Sequence, residues 1–450
     1  MAEMICWQDN SEYTCSDDVK QFFPIADRPL SELMDDNGNS LLVYPHSFHD
    51  CRDGIGQLHI VDISLSRGQF VLKTGNLAGY ISIDGVPVSI RSRFSNCNEK
   101  DFFLQYMLKK VLSLNLFDMK HSTTDECVLD FLLYLFPHYL NDALSQGLYK
   151  EYMYKEYNDS NVRGAIDVGR HIKVNMPFCG RVAYRTREFS YDNHVTQLVR
   201  HTIEYIRTLG SGEMVLHSDA DTQANVSRIV WATPSYCRRD RADVCTENAK
   251  PVSHPYFTRY AALQNICMRI LNHKRLKYGC GKDNIYGILF DVSWLWEEYL
   301  ATMLKRLGFR HPDNRRRKGG IYLGRSRCDS GRNAFLRFPD FYDNEVGGVI
   351  ADAKYKRNID RGADVNQMVS YMYRLKGRCG LFIQPAEREC TYLDYTLKGH
   401  GDDADATLGV YHFGIPVEAS SYEDFEKGMS AAEKAFVDTI VCRRNVAGLF

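Results

Sequence analysis

Pro339-Asp340 is followed twelve residues on by Asp352-Ala353-Lys354, within the run FPDFYDNEVGGVIADAKYKRN. Two aspartates offer hard oxygen ligands to a divalent cation, and a lysine beside them can hold an attacking water or neutralise charge growing on a phosphate. The residue types and their spacing therefore suit metal-assisted hydrolysis of a phosphodiester.

Such chemistry needs elements that bring the acids together. VGGVIADAKYK reads as a strand with an apolar start and a charged end. On a strand, Asp352 and Lys354 share one face, about 6 to 7 Å apart. Residues 344–348 can turn the chain so that Asp340 meets them. An Asp-x-Lys alone is usually a solvated ion pair, but two neighbours add weight. Upstream, FDVSWLWEEYLATMLKRLGF has helical spacing and carries Glu297 and Glu298, a possible third acid. Downstream, DVNQMVSYMYRLK sets Gln367 and Tyr371 on one helix face.

In that order of elements, residues 290–385 resemble the PD-(D/E)xK nuclease fold, in the branch with a Gln-x-x-x-Tyr helix, and DAKYK is typical of McrC-type subunits of modification-dependent restriction systems. FPHYLNDALSQGLYKEYMYKEYNDSNVRGAIDVGRHI and REFSYDNHVTQLVRHTIEYI are similar to the McrC middle region, where a GLxxEY helix leads to an Arg-Gly-x-Ile-Asp turn. AGYISIDGVPVSIRSRF resembles the preceding β-hairpin, so the resemblance spans roughly 75–385. Thr196 departs from it, standing where the family favours Asn.

The resemblance implies an α/β protein whose C-terminal restriction-endonuclease-like domain has a mixed central sheet flanked by helices, preceded by a β-rich N-terminal region and an α+β middle region. It makes Asp340 and Asp352 metal-binding acids, Lys354 the catalytic lysine, Glu297 rather than Glu298 the helix acid, and Gln367 and Tyr371 accessory residues. Mg²⁺ is the implied cofactor, with Mn²⁺ able to substitute. The implied partners are a hexameric AAA+ GTPase of the McrB type and double-stranded DNA carrying modified cytosine. The expected activity is that of the nuclease subunit, with stimulation of the motor. Two rivals remain: a non-cleaving activator of the motor, and a stand-alone repair or mobile-element nuclease.

Composition sets wider bounds. A chain of 450 residues exceeds what one core usually supports. Regions are expected at 1–100 (β-rich, partner-binding), 101–275 (mainly helical) and 276–450 (nuclease). Asp84-Gly85 signals a hairpin turn, Pro137 should kink or restart a helix, and 207–255 reads as a loop-bearing insertion. No apolar run is long enough to span a bilayer, and MAEMICWQDNSEYTCSDD lacks the basic and apolar parts of a signal peptide, so a cytoplasmic location is expected. Fourteen cysteines without short paired spacings suggest reduced thiols.

The net charge of −1 gives the whole chain no bulk attraction for nucleic acid. Bases nevertheless crowd around the acids: Lys305, Arg306, Arg310, Arg315, Arg316, Arg317, Lys318, Arg325, Arg327, Arg332, Lys356, Arg357 and Arg361. Of these, Arg315, Arg316, Arg317, Lys318, Lys356 and Arg357 are the candidate DNA contacts. Gly279-Cys280-Gly281-Lys282-Asp283 ends like a phosphate loop but has Asp where Ser or Thr is needed, so no nucleotide is expected on this chain. His46, His49 and Cys51 lack the second cluster a zinc site requires.

Overall fold

The computed structural model describes residues 4–15, 17–37, 41–45, 54–95, 101–112, 124–210, 212–276, 285–314, 317, 319–328, 331–343, 347–398 and 406–448. The weak zinc and phosphate-loop patterns, at 46–51 and 279–283, lie outside them, as do residues 344–346 of the expected turn. The fold is mixed α/β with several sheets. Two compact units form, one from Met1–Val128 with Leu276–Phe450 and one from Leu129–Arg275.

In the first unit a five-stranded sheet has the order Ile5–Gln8, Val86–Arg91, Leu77–Ile83, Ile285–Asp291, Leu41–Tyr44. Asp84 and Gly85 both take positive φ, the hairpin geometry that Asp-Gly favours. The buried strand Ile285–Asp291 lies antiparallel to Leu77–Ile83, although some two hundred residues separate them. Gly79 and Gly287 allow this close approach, since a Cβ on either would stand 2.2 Å from a carbonyl oxygen of the opposite strand. The chain passes directly from this strand into the helix Val292–Leu304, where the Asp291 carboxylate accepts the Trp294 N–H at 3.1 Å and caps the first turn. One strand–helix element thus carries Glu297 and Glu298 away from the N-terminal sheet.

The second sheet of this unit has the order Phe341–Tyr342, Gly347–Ala353, Gly377–Ala386, Ala406–Gly414, Thr391–Leu397, with its three central strands parallel. The helix Ala363–Leu375 crosses between the first two parallel strands, burying Met368, Tyr371 and Met372 against Ile350, Phe382 and Leu408. Alternation sends Phe413 and Tyr411 to the opposite face, where rings of Trp296, Tyr299 and Phe436 meet them. Asp352 shares the face of Ile350, and therefore looks toward the crossover helix.

The second unit contains mostly helices and one antiparallel ribbon, Glu151–Asp159 with Val182–Ser190, to whose second strand the short Ala165–Ile166 is added as a third. The helix Thr124–Leu144 continues through Pro137 and does not restart there. Two other sequence expectations change here. Residues 207–255 are largely helical: Ala220–Ala232 is capped by Asp219 and buries Val226, Ile229 and Ala232 at three-residue spacing, an apolar stripe masked by polar neighbours. The GLxxEY run is not a helix, because Gly147 takes φ +93 and Glu151 opens the ribbon. Gly164 of the Arg-Gly-x-Ile-Asp run sits where a Cβ would lie 2.1 Å from the Arg185 oxygen, and Asp167 caps the next helix. The Thr196 hydroxyl accepts the Asn193 N–H at 3.2 Å and completes the cap of His194–Arg207.

Candidate active site

Asp352 is buried on the strand Gly347–Ala353, and Lys354 follows that strand's end. The Lys354 backbone N–H donates to the Ile383 oxygen at 2.9 Å, which keeps the lysine in strand register and returns its side chain to the Asp352 face. Lys354 Nζ lies 2.5 Å from Asp352 Oδ2 and 3.5 Å from Asp364 Oδ1, and donates to Gln367 Oε1 at 3.3 Å. The Asp352 contact is a close, charge-assisted ion pair.

Asp340 reaches the same place from the preceding segment, its Oδ2 accepting the Ala353 N–H at 2.9 Å. Three consecutive carbonyls lead into it, and each has its own donor. Tyr371 hydroxyl bonds the Phe338 oxygen at 2.9 Å, Asn314 Nδ2 the Pro339 oxygen at 2.9 Å, and His311 Nδ1 the Asp340 oxygen at 3.0 Å. The approach of Asp340 is therefore fixed by three side chains from two places in the sequence, the loop 311–314 and the helix of Tyr371.

The electrostatics follow from this crowding. Burial, then the Asp352 and Glu297 charges, push the Asp340 carboxyl well above the ordinary range. Burial also raises Asp352, against the pull of Lys354. Burial would lower the Lys354 ammonium, but Asp352, Asp340 and Asp364 outweigh it and hold the charge. Negative oxygens thus exceed local positive charge. This donor set fits a hard divalent cation.

Glu297 and Glu298 occupy successive helix positions and so diverge. The nearly buried His311 stacks on Phe341, with Nε2 3.2 Å from Glu298 Oε1, while its Nδ1 is 3.8 Å from Glu297 Oε1. Lys305 is 3.9 Å from Glu298. Burial opposes charging of His311, but Glu298 and Glu297 raise its pKa. Glu297 acts on Asp340 through its charge; among the described residues, the His/Cys/Asp/Glu group whose ligand atoms all lie within 4.8 Å is Asp27, His59 and Asp62, on the N-terminal β region.

The accessory helix contributes two different functions. Gln367 orients Lys354, whereas the buried Tyr371 hydroxyl is engaged by Phe338. Lys356 pairs with Asp364, which ties it to the helix start. Arg317 and Arg357 are exposed, and Arg315, Arg316 and Lys318 lie outside the described residues. Asp364, His311 and Asn314 were not among the sequence candidates. Asp364 had a signal, being three residues before Gln367 on the same helix face. The His311-Pro312-Asp313-Asn314 loop had none.

A family model described as McrBC 5-methylcytosine restriction system component matches residues 72–383. Among solved structures, a half-complex from a tetradecameric assembly of Thermococcus gammatolerans McrB AAA+ hexamers with bound McrC is similar at TM-score 0.45 and 14% identity, over 95% of this chain and 100% of that one. The cryo-EM structure of the Thermococcus gammatolerans McrBC complex is similar at TM-score 0.32 and 13% identity, over 69% of this chain and 90% of that one. No curated protein matches the chain.

Proposed function

The chain belongs to the family of McrBC 5-methylcytosine restriction system components, and from that premise we propose that it is the DNA-cleaving subunit, a Mg²⁺-dependent endonuclease of the PD-(D/E)xK type. The observation that carries this reading is the convergence of Asp340, Asp352 and Lys354 on one face, with Gln367 steering the lysine. Asp340 and Asp352 would hold the cation, with Glu297 beside them. Bound there, Mg²⁺ would polarise the phosphate and lower the pKa of the water nucleophile. Lys354 keeps its proton, and its ammonium faces the position where negative charge grows on the phosphate oxygens. Asp364 and Gln367 restrain that ammonium, so little reorganisation is needed as the charge develops.

The partner is a hexameric AAA+ GTPase of the McrB type, and the substrate is double-stranded DNA with modified cytosine. Large apolar exposure in the second unit supports a protein interface: Tyr152, Tyr154, Phe189, Ile172, Val174 and Phe178 are all exposed on the ribbon and its adjoining segments. Among the described residues no helix is long and apolar enough to cross a membrane, and the complex works in the cytoplasm.

The test is cleavage of a 5-methylcytosine-containing duplex by the chain assembled with its GTPase, GTP and Mg²⁺. Asp352→Ala and Lys354→Ala abolish cutting while partner GTPase stimulation persists. Undiminished cutting by either variant contradicts the assignment.

A further inference from the structure

The strands Ile321–Arg325 and Asn333–Arg337 form a two-stranded sheet separate from the others. Five residues per strand give an arm about 17 Å long. Its base is anchored: Arg374 Nε of the accessory helix donates to the Tyr322 oxygen at 2.6 Å, and Ile321 packs on that helix's core. Beyond the base the arm is open. Tyr322, Arg325, Phe335 and Leu336 are exposed, Phe335 at 69%. The ring stands on a strand, Asn333–Arg337, that has no buried residue.

The residues 321–337 hold four arginines, Arg325, Arg327, Arg332 and Arg337, against the single aspartate Asp329. Arg325 and Arg327 are exposed and have no carboxylate partner among the described residues. Gly324 pairs with Ala334, and the neighbouring Phe335 ring lies beside it, where a Cβ would meet the ring at 3.5 Å, an ordinary contact. Phe335 also takes φ +60, an unfavourable conformation for a bulky residue. At the base, Arg337 lines a cavity of about 300 Å³ together with Asp364 and Gln367, the residues that hold Lys354. Asp340 is three residues beyond Arg337, no more than about 11 Å along the chain.

We propose that this arm enters a groove of the duplex being cut, with Arg325 and Arg327 on phosphates and Phe335 against the base edges, so that it sets the register of the scissile phosphate over Asp340 and Asp352. The inference rests on the nuclease reading above and adds the surface that receives DNA. A two-stranded ribbon fits the major groove of B-DNA, guanidinium groups suit phosphate, and an exposed apolar ring suits base edges or a base step. A protein partner is the other occupant to consider, but the arm's excess of arginine and its continuity with the cation site favour nucleic acid.

The experiment measures binding of the full chain to a fluorescent duplex by anisotropy across a salt series, with Ca²⁺ replacing Mg²⁺. Stimulation of the partner GTPase is followed in parallel. Arg325→Ala and Arg327→Ala each lower the slope of log K against log salt by about 0.9, while Arg325→Lys keeps the wild-type slope. Phe335→Ala weakens duplex binding about tenfold with the slope unchanged. These substitutions lie on exposed positions, and a thermal melt matching wild type shows the fold retained. Wild-type affinity and slope in all three alanine variants overturn the arm's role while leaving the nuclease reading intact. Loss of GTPase stimulation with unchanged duplex binding also overturns it, in favour of a protein contact. A wild-type chain that binds no duplex, alone or assembled, overturns both.

Discussion

Asp364→Asn tests whether the crossover helix holds the lysine in place. Asp364 is buried, and its carboxylate stands 3.5 Å from Lys354 Nζ while also pairing with Lys356 and accepting the Asp360 N–H at 2.7 Å. At an effective dielectric of about 20, the Lys354 attraction alone is about 5 kcal/mol before desolvation. Asparagine retains an oxygen dipole and removes one buried charge, and Lys356, at 39% side-chain exposure, is screened by water. The net loss of stability is then about 1–2 kcal/mol. Function should suffer more. Without Asp364, Lys354 keeps the strand's Asp352 at 2.5 Å and, from the helix, only the neutral Gln367 at 3.3 Å, so the charged partner draws it toward the strand. A displacement of about 1 Å costs about a hundredfold in rate. Urea unfolding measures the first effect, and single-turnover cleavage by the assembled complex measures the second. Wild-type rate and wild-type stability together would refute the reasoning, since Lys354 would then need no restraint from Asp364.

Tyr371→Phe leaves the Phe338 carbonyl without its donor, so unfolding experiments should show a loss of about 1–2 kcal/mol. Cleavage should fall with it, because Asp340 lies two residues on. Asp9 is fully buried, and burial raises its carboxyl to about 6 against the opposing charge of Arg93. An acid raised by folding is stabilising when protonated, so that contribution is complete below the unfolded value and is lost as pH rises through about 6. Urea unfolding from pH 4 to 7 should therefore show wild type losing about 3 kcal/mol that Asp9→Asn does not lose; parallel curves would contradict this. Gly79→Ala forces a Cβ against the Ile288 oxygen at 2.2 Å, where the neighbour is backbone and cannot swing away. Thermal unfolding should report a cost of about 3 kcal/mol or more.

Local patterns in the sequence revealed the parts of the fold that local physics decides. Asp84-Gly85 forms its hairpin because the required positive φ values are cheap for those residues. Asp352 and Lys354 share a face because strand alternation demands it, and Gln367 meets the lysine because a helix follows at the spacing of a crossover. Long-range events left no such mark. Nothing in Ile285–Asp291 says that it joins a sheet begun at Ile5, rather than the sheet of Asp352. Likewise His311 and Asn314 gain their meaning only when their loop folds onto the carbonyls before Asp340. Pro137 does not restart the helix, because a proline's local preference can be overruled within a long helix.

The account depends on Asp340 and Asp352 jointly binding a divalent cation beside Lys354. Calorimetric titration of Mn²⁺ into the full chain at neutral pH tests this without relying on cleavage. The account predicts saturable binding in the wild type that is lost in Asp340→Asn and in Asp352→Asn, with both variants retaining their fold. Binding of equal strength in wild type and both variants, or no binding in the wild type, would contradict it.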